Sequence, residues 1–301
     1  MTDLKFDGQV ALIIGAAGGV GAEYARALAE RGARVVINDL GGTVDGQGGS
    51  AAAAEVAAEL IRGAGGMAIA DVNSVASEGG ATAAVQTALD AYGRIDIVVN
   101  NAGILRDSSF PKMTTAALDT VLDVHLRGAF WVTQAAWKYM REAQYGRIVN
   151  TTSNAGLLGN FGQANYGAAK MGLVGLTKVL AREGAKNNIK VNAVAPMART
   201  RMTEEMLGEI GAQLDPSLVA PLVVFLAHRD NPVSGEVYSA GAGVVNRFFI
   251  GATRGIYSEN LSAELVRDEF EQINDEANYQ VYSSVNHHMR TLLQANKPEP
   301  S

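Results

Sequence analysis

Tyr166 and Lys170 stand four residues apart in NYGAAKMGLVGLTKVLA, a spacing that puts both side chains on one face of a helix. A phenol with a pKa near 10 is a poor base at neutral pH, but a neighbouring ammonium favours its phenolate. Such a group can take the hydroxyl proton of an alcohol while hydride leaves the same carbon, or return it in the reverse direction. Ser153 closes the run RIVNTTS upstream, where its hydroxyl can orient the substrate oxygen. Chance places a tyrosine and a lysine at this spacing in many helices, so the pair gains meaning only from the rest of the chain.

A leaving hydride needs an acceptor. The first apolar run ends in GAAGGVG, with Gly15, Gly19, Val20 and Gly21 leading into a helical stretch. Glycines let a backbone turn sharply against a pyrophosphate, and the helix start aims free N–H groups and a positive dipole end at it. The second apolar run ends in Asp39, where a carboxylate can accept hydrogen bonds from the hydroxyls of an adenosine ribose. The same carboxylate repels a 2′-phosphate, so NAD(H) is expected over NADP(H). Arg34 is the one nearby cation that weighs the other way. The positive nicotinamide ring would further favour the phenolate of Tyr166.

These residues need a scaffold that brings them to one edge. Short β-branched runs recur at VALII (10–14), RVVIN (34–38), IDIVVN (95–100), RIVNTT (147–152) and IKVNAVA (189–195), with EVYSAGAG (236–243) as the last candidate strand. Alanine-rich stretches of helical spacing lie between them, among them 22–32 and 116–140. Nearly continuous apolar strands alternating with helices predict an α/β fold, a doubly wound parallel sheet with helices on both faces. Ligands of such sheets gather outside the carboxyl ends of the strands. The glycine-rich stretch 41–50 reads as a mobile loop or a cover over the cofactor. Residues 1–250 are expected to form this domain, and 251–301 a C-terminal helical extension that packs on it or on a partner subunit, unstructured beyond about Gln294. No internal repeat or Pro/Ser-rich linker marks a second domain.

Composition removes other classes. The chain has 301 residues, a net charge of −6 and no cysteine, which excludes disulfides, thiolate metal sites and cysteine nucleophiles. With no basic cluster to neutralise phosphates, a nucleic-acid partner is not expected. The N-terminus lacks the features of a signal peptide, and no apolar run reaches the length of a membrane span. A cytoplasmic protein with a small-molecule substrate is expected. No metal is expected either: His287 and His288 are adjacent and point apart on a helix.

The ordered set of glycine turn, Asp39, Asn100-Asn101-Ala102-Gly103, Ser153, Tyr166 and Lys170 resembles the short-chain dehydrogenase/reductase family over about residues 6–250. The resemblance implies a Rossmann fold and a nicotinamide cofactor. NDLGG (38–42), NNAGILRD (100–107), HLRGAF (125–130), YGRIVNTTS (145–153), GNFGQANYGAAK (159–170) and RMT (201–203) are similar to its branch of (3R)-hydroxyacyl-CoA dehydrogenases. By position, the resemblance implies that Asp39 holds the adenosine ribose and that Ser74 and Val75 flank the adenine. It places Asn101, with Ala102 and Gly103, by the nicotinamide-side ribose, which Tyr166 and Lys170 also hold, and Thr200, within 198–201, near the carboxamide. It further implies a homodimer or homotetramer, with the C-terminal extension helping to close the substrate site.

Three positions depart from the family pattern. Ile14 stands where threonine is usual before the first glycine, His125 where many members carry a proton-relay asparagine, and Met197 where glycine usually follows Pro196. A histidine satisfied by backbone carbonyls is the reading favoured for His125. The chain ends where multifunctional relatives would continue, and a stand-alone dehydrogenase is therefore expected. The expected activity is oxidation of a 3-hydroxyacyl-CoA with NAD+, the acyl group being fatty or a steroid side chain. Alternatives are a 17β-hydroxysteroid dehydrogenase acting on free steroid, a 3-oxoacyl carrier-protein reductase, and an idle NAD-binding scaffold. The intact Ser153, Tyr166 and Lys170 argue against the last, since a scaffold needs neither hydroxyl.

Overall fold

The computed structural model describes residues 3–203 and 213–294. Strands β1 (Val10–Ile14), β2 (Arg34–Asn38), β4 (Ile97–Asn100), β5 (Gly146–Thr151), β6 (Ile189–Pro196) and β7 (Val237–Gly241) form at the runs rich in β-branched residues. Two strands escaped the pattern. β3 (Met67–Asp71), MAIAD, is too rich in alanine to stand out beside its helices, and β8 (Val244–Phe248), VVNRF, lies past the last expected strand. The sheet order is β3-β2-β1-β4-β5-β6-β7-β8, with every pairing from β3 to β7 parallel. Ala242 and Gly243 both have positive φ, 50° and 77°, the geometry of a two-residue hairpin turn. That turn makes β8 antiparallel to β7.

Helices α1 (Gly19–Ala29), α2 (Ala51–Gly63), α3 (Glu78–Tyr92), α4 (Thr115–Leu122), α5 (Gly128–Glu142), α6 (Asn154–Leu158), α7 (Ala164–Gly184) and α8 (Ala220–Ala227) supply the connections. β1 and β4 carry few polar side chains because both faces are covered. Ile13, Val35, Ile37 and Val99 pack on one side with Tyr24 and Leu28 of α1 and Leu226 of α8. Leu12, Val36, Val98 and Ile148 pack on the other with Ala84 of α3 and Val132 and Met140 of α5. Trp131, Trp137 and Tyr139 lie partly buried against this second layer. The expected helix over 116–140 forms, with a single π-helical turn, Asp123–Arg127, between α4 and α5.

The chain divides into two units at Arg247/Phe248. Within the second, Ala252 and Gln280 form one antiparallel bridge, the rings of Phe249 and Tyr279 stack at 5.3 Å, and Thr253 Oγ1 donates to the Ile273 carbonyl. Its helices are α9 (Ala263–Asp268), α10 (Phe270–Ile273) and α11 (Val285–Gln294), so the amphipathic stretch 262–274 folds as two short pieces. None of its described residues is buried. The expectation of an unstructured end beyond Gln294 falls outside the described residues. Among the described residues no helix is long and apolar enough to cross a membrane.

Because Ile13 is fully buried in the central strand, Ile13→Ala should destabilise the fold by about 2–5 kcal/mol, read as a lowered urea midpoint with the slope of the transition unchanged.

Candidate active site

The sheet reverses direction between β1 and β4, and the residues with chemistry collect outside the carboxyl ends of the strands at that point. Gly15 has φ +74°, and a Cβ there would lie 2.6 Å from Ala102 Cα. At Gly21 a Cβ would lie 2.1 Å from the Gly15 carbonyl oxygen. The two turns, after β1 and after β4, thus touch through backbone. Gly18 precedes α1 without a side-chain cap, so the first-turn N–H groups around Gly19, Val20 and Gly21 stay available to an anion. This cradle fits a pyrophosphate. Ile14, in place of a hydrogen-bonding residue, is buried in the core.

Asp39 follows β2 directly. Its Oδ2 accepts from the Ala17 N–H at 2.9 Å and its Oδ1 from the Gly41 N–H at 2.7 Å. Two backbone donors orient the carboxylate and leave lone pairs for ribose hydroxyls. Arg34 lies at the far end of the same strand, about 16 Å away at 3.3 Å per residue, with its guanidinium 5.8 Å from the centre of the Tyr92 ring. It takes no part at this edge.

Asn101 uses its amide twice: Nδ2 donates to the Gly15 carbonyl at 2.8 Å, and Oδ1 accepts from Thr151 Oγ1 at 3.3 Å. It links the phosphate turn to the end of β5. Gly103 makes room for His125, since a Cβ there would lie 2.5 Å from His125 Cε1. Thr200 packs on the turn itself, its Cγ2 3.4 Å from where a Gly19 Cβ would be, and its hydroxyl accepts from the Met202 N–H. Ser74 is partly exposed, whereas the Val75 side chain is buried among α3 and α5.

Ser153, at the start of α6, accepts from the Ala155 N–H at 3.2 Å and stands close enough to the Tyr166 phenol to favour its ionised form. Lys170 is almost fully buried, with Nζ donating to the Thr151 carbonyl at 2.6 Å and standing 5.6 Å from the centre of the Tyr166 ring. Thr152 Oγ1 donates to the Lys170 carbonyl at 2.7 Å, so the end of β5 grips the lysine at both backbone and tip. Gly156 permits the close approach of α6, because a Cβ there would lie 2.9 Å from Lys170 Cβ. All three expected catalytic residues therefore meet at one place.

The electrostatics differ from the simple pairing of ammonium and phenol. Burial raises the Tyr166 pKa above its ordinary value, the Ser153 hydroxyl opposes this, and the Asp107 charge adds to it. Burial also pushes Lys170 down to about 7. Asp107 was not singled out by the sequence pattern. It accepts from Gln163 Nε2 at 2.7 Å, and Asn165 Oδ1 accepts from the Tyr166 N–H at 2.8 Å. Thr151, Thr152 and Asn165 were also missed: a threonine pair at a strand end and an asparagine before a tyrosine carry no chemical signature of their own. The stretch 41–50, expected to be mobile or to cover a cofactor, folds onto the segment after β4. Leu105 N–H donates to the Val44 carbonyl at 2.8 Å, and Arg106 Nε to the Asp45 carbonyl at 3.0 Å. Met197 closes on β7 through a 2.8 Å bond from its N–H to the Ala240 carbonyl. Residues 204–212, which follow this loop, lie outside the described residues.

A buried lysine with a folded pKa of about 7 and an ordinary value of 10.5 binds fewer protons folded than unfolded between those limits. The wild-type chain should therefore gain stability relative to Lys170→Met as pH rises from about 7 to 10, on the order of a few kcal/mol. Urea unfolding of both chains across that range reads the difference, and a constant difference would show that Lys170 is not desolvated.

Comparison with known proteins agrees with this geometry. The family model described as short chain dehydrogenase matches residues 9–209. The chain is 52% identical over 242 residues to the peroxisomal hydratase-dehydrogenase-epimerase of Saccharomyces cerevisiae, covering 80% of this chain and 27% of that protein. It is 50% identical over 281 residues to peroxisomal multifunctional enzyme type 2 of Mus musculus, covering 91% and 38%. The structure of full-length peroxisomal multifunctional enzyme type 2 from Drosophila melanogaster superposes with a TM-score of 0.82 at 36% identity, covering 97% of this chain and 50% of that one. The chain thus spans between about a quarter and a half of these proteins. Glycine turn, Ser153, Tyr166, Lys170 and a family match across all of them lead to one conclusion: the chain belongs to the short-chain dehydrogenase family and is an oxidoreductase.

Proposed function

We propose that the chain oxidises the 3-hydroxyl of an acyl-CoA thioester to the ketone, with NAD+ as hydride acceptor. The observation that carries this reading is the meeting of Ser153, Tyr166 and Lys170 beside the glycine turn that ends near Asp39. Ser153 orients the substrate oxygen, and the Tyr166 phenolate takes its proton. Lys170, anchored on the Thr151 carbonyl, supplies the local positive charge and a donor toward the nicotinamide-side ribose. Bound NAD+ supplies the hydride acceptor. NAD+ is preferred over NADP+ because Asp39 is oriented by two backbone donors and Arg34 is at the wrong end of its strand. The thioester is supported by the strings that resemble the hydroxyacyl-CoA branch, and by a yeast relative whose name includes a dehydrogenase.

Phe130 on α5 and Met171 and Val179 on α7 turn apolar side chains outward, which supports a homodimer or homotetramer. A cytoplasmic location stays a proposal beside relatives that carry peroxisomal names.

The test is NAD+ reduction at 340 nm with a (3R)-hydroxyacyl-CoA and, separately, a free 17β-hydroxysteroid, each repeated with NADP+. Turnover of the thioester with NAD+ is expected; turnover of the steroid alone, or a preference for NADP+, refutes the substrate or the cofactor assignment respectively. Tyr166→Phe should lower kcat about 10²–10⁴-fold while still binding NADH. Because burial raises the Tyr166 pKa and the base must be deprotonated, oxidation should quicken as pH rises through the alkaline range. The same alkaline rise in the residual activity of Tyr166→Phe would remove the phenolate from the mechanism.

A further inference from the structure

The opposite end of the sheet carries a second concentration of polar side chains, outside the amino ends of the strands. Gln9 precedes β1, Arg94 precedes β4, Tyr145 and Arg147 flank the first residue of β5, and Arg229 follows α8. They line a cavity of about 430 Å³, within the range of small-molecule sites, roughly 300–1,000 Å³. β5 has six residues, so at about 3.3 Å per residue this cavity lies about 20 Å from the edge that holds Ser153. The proposed acid–base chemistry makes no use of it.

Arg147 is 1% exposed. Its Nε donates to the His228 carbonyl at 3.2 Å, Nη1 to the Gly146 and Asn188 carbonyls, both at 2.8 Å, and Nη2 to the Arg229 carbonyl at 3.3 Å and Asn188 Oδ1 at 3.4 Å. Neutral oxygens satisfy these donors, but no carboxylate among the described residues pairs with the charge, and burial lowers the Arg147 pKa. A guanidinium stays charged in a protein, and a buried charge without a counter-charge is costly. Burial, and after it the Arg147 charge, also lowers the pKa of Lys190 on β6. The nearby carboxylates are engaged elsewhere. Asp96 holds Arg94 through bonds of 2.8 and 2.6 Å, and Asp7 turns Oδ1 against Gly32, where a Cβ would lie 2.1 Å from it.

Two lining groups have no partner among the described residues. Gln9 is 6% exposed and its Oε1 is buried without a hydrogen bond, as is the Tyr145 hydroxyl, whose ring lies 4.3 Å from the Arg147 guanidinium. Buried polar groups are ordinarily hydrogen-bonded, so the fitting ligand brings negative charge, an acceptor for the phenol and a donor for the amide oxygen. We propose that this cavity binds a phosphate group, free or as a small phosphomonoester, held by the Arg147 and Arg229 charges and by the Tyr145 hydroxyl. Gln9 Oε1 accepts from a ligand hydroxyl, which free hydrogen phosphate carries itself and a monoester carries on its organic part. This site is separate from the glycine turn and does not depend on the substrate proposed above.

The experiment is thermal unfolding and isothermal titration calorimetry with inorganic phosphate, in saturating NADH so that the glycine turn does not take the anion. Phosphate should raise Tm by several degrees beyond sodium chloride of equal ionic strength, because a ligand that binds only the folded chain stabilises it. Glycerol 3-phosphate in a parallel titration distinguishes the sources, the tighter of the two identifying an ester or the free ion. Arg229→Gln and Tyr145→Phe should each raise the phosphate Kd about 10-fold or more, with turnover and NADH affinity as in the wild type. A Tm rise that sodium chloride matches, or a phosphate Kd unchanged in both variants, overturns the proposal. Tyr145→Phe removes a hydroxyl that has no partner in the fold, so its phosphate-free Tm should hold, and that chain decides if Arg229→Gln fails to fold.

Discussion

Backbone contact between the turn after β1 and the turn after β4 is the constraint on which the site depends. Gly15 and Ala102 approach so closely that no side chain fits between them, and Gly21 tucks under the Gly15 carbonyl for the same reason. From that contact a line of hydrogen bonds runs outward through Asn101 to Thr151, whose carbonyl receives the Lys170 ammonium. Parallel register makes this possible: Ile14 pairs with Asn100, and Asn100 with Asn150. The glycine turn and the Tyr166–Lys170 pair are thereby parts of one backbone arrangement.

That arrangement has an electrostatic cost. Lys170 sits where water cannot reach it and holds its charge with difficulty, and Tyr166 resists ionisation for the same reason. Buried groups with shifted pKa values concentrate at active sites because catalysis needs proton affinities that water would not permit. The Ser153 hydroxyl opposes the shift on the phenol, while Asp107 adds to it. Stability and reactivity therefore pull against each other at these two side chains.

The segment 103–107 joins both halves of the site. On one side the loop 41–50 lies against it, with a Cβ at Gly46 placed 3.1 Å from Ile104, and the same loop is tied back to Asp39 through the Gly41 N–H. On the other side stand His125 and Asn165. The Asp39 edge and Tyr166 thus share one short piece of chain, which explains why a glycine-rich stretch that looked free is folded down. The C-terminal unit, by contrast, has no buried residue among its described ones.

By itself the sequence determined the sheet, the glycine turn, Asp39 and the trio Ser153, Tyr166 and Lys170, because each follows from local spacing: period and branching for strands, four residues for a helix face, glycine before a helix for an anion. It also identified the family. β3 and β8 were hidden because strand propensity in MAIAD and VVNRF is no stronger than in their surroundings, so pairing partners decide them. The π turn at 123–127, the roles of Thr151, Asp107 and Asn165, and the distance between Arg34 and the ribose edge were settled only in three dimensions. Proton affinities belong to the same class. Burial, which no local pattern records, sets the charge of Lys170, Tyr166 and His125 more strongly than any neighbour visible in the sequence.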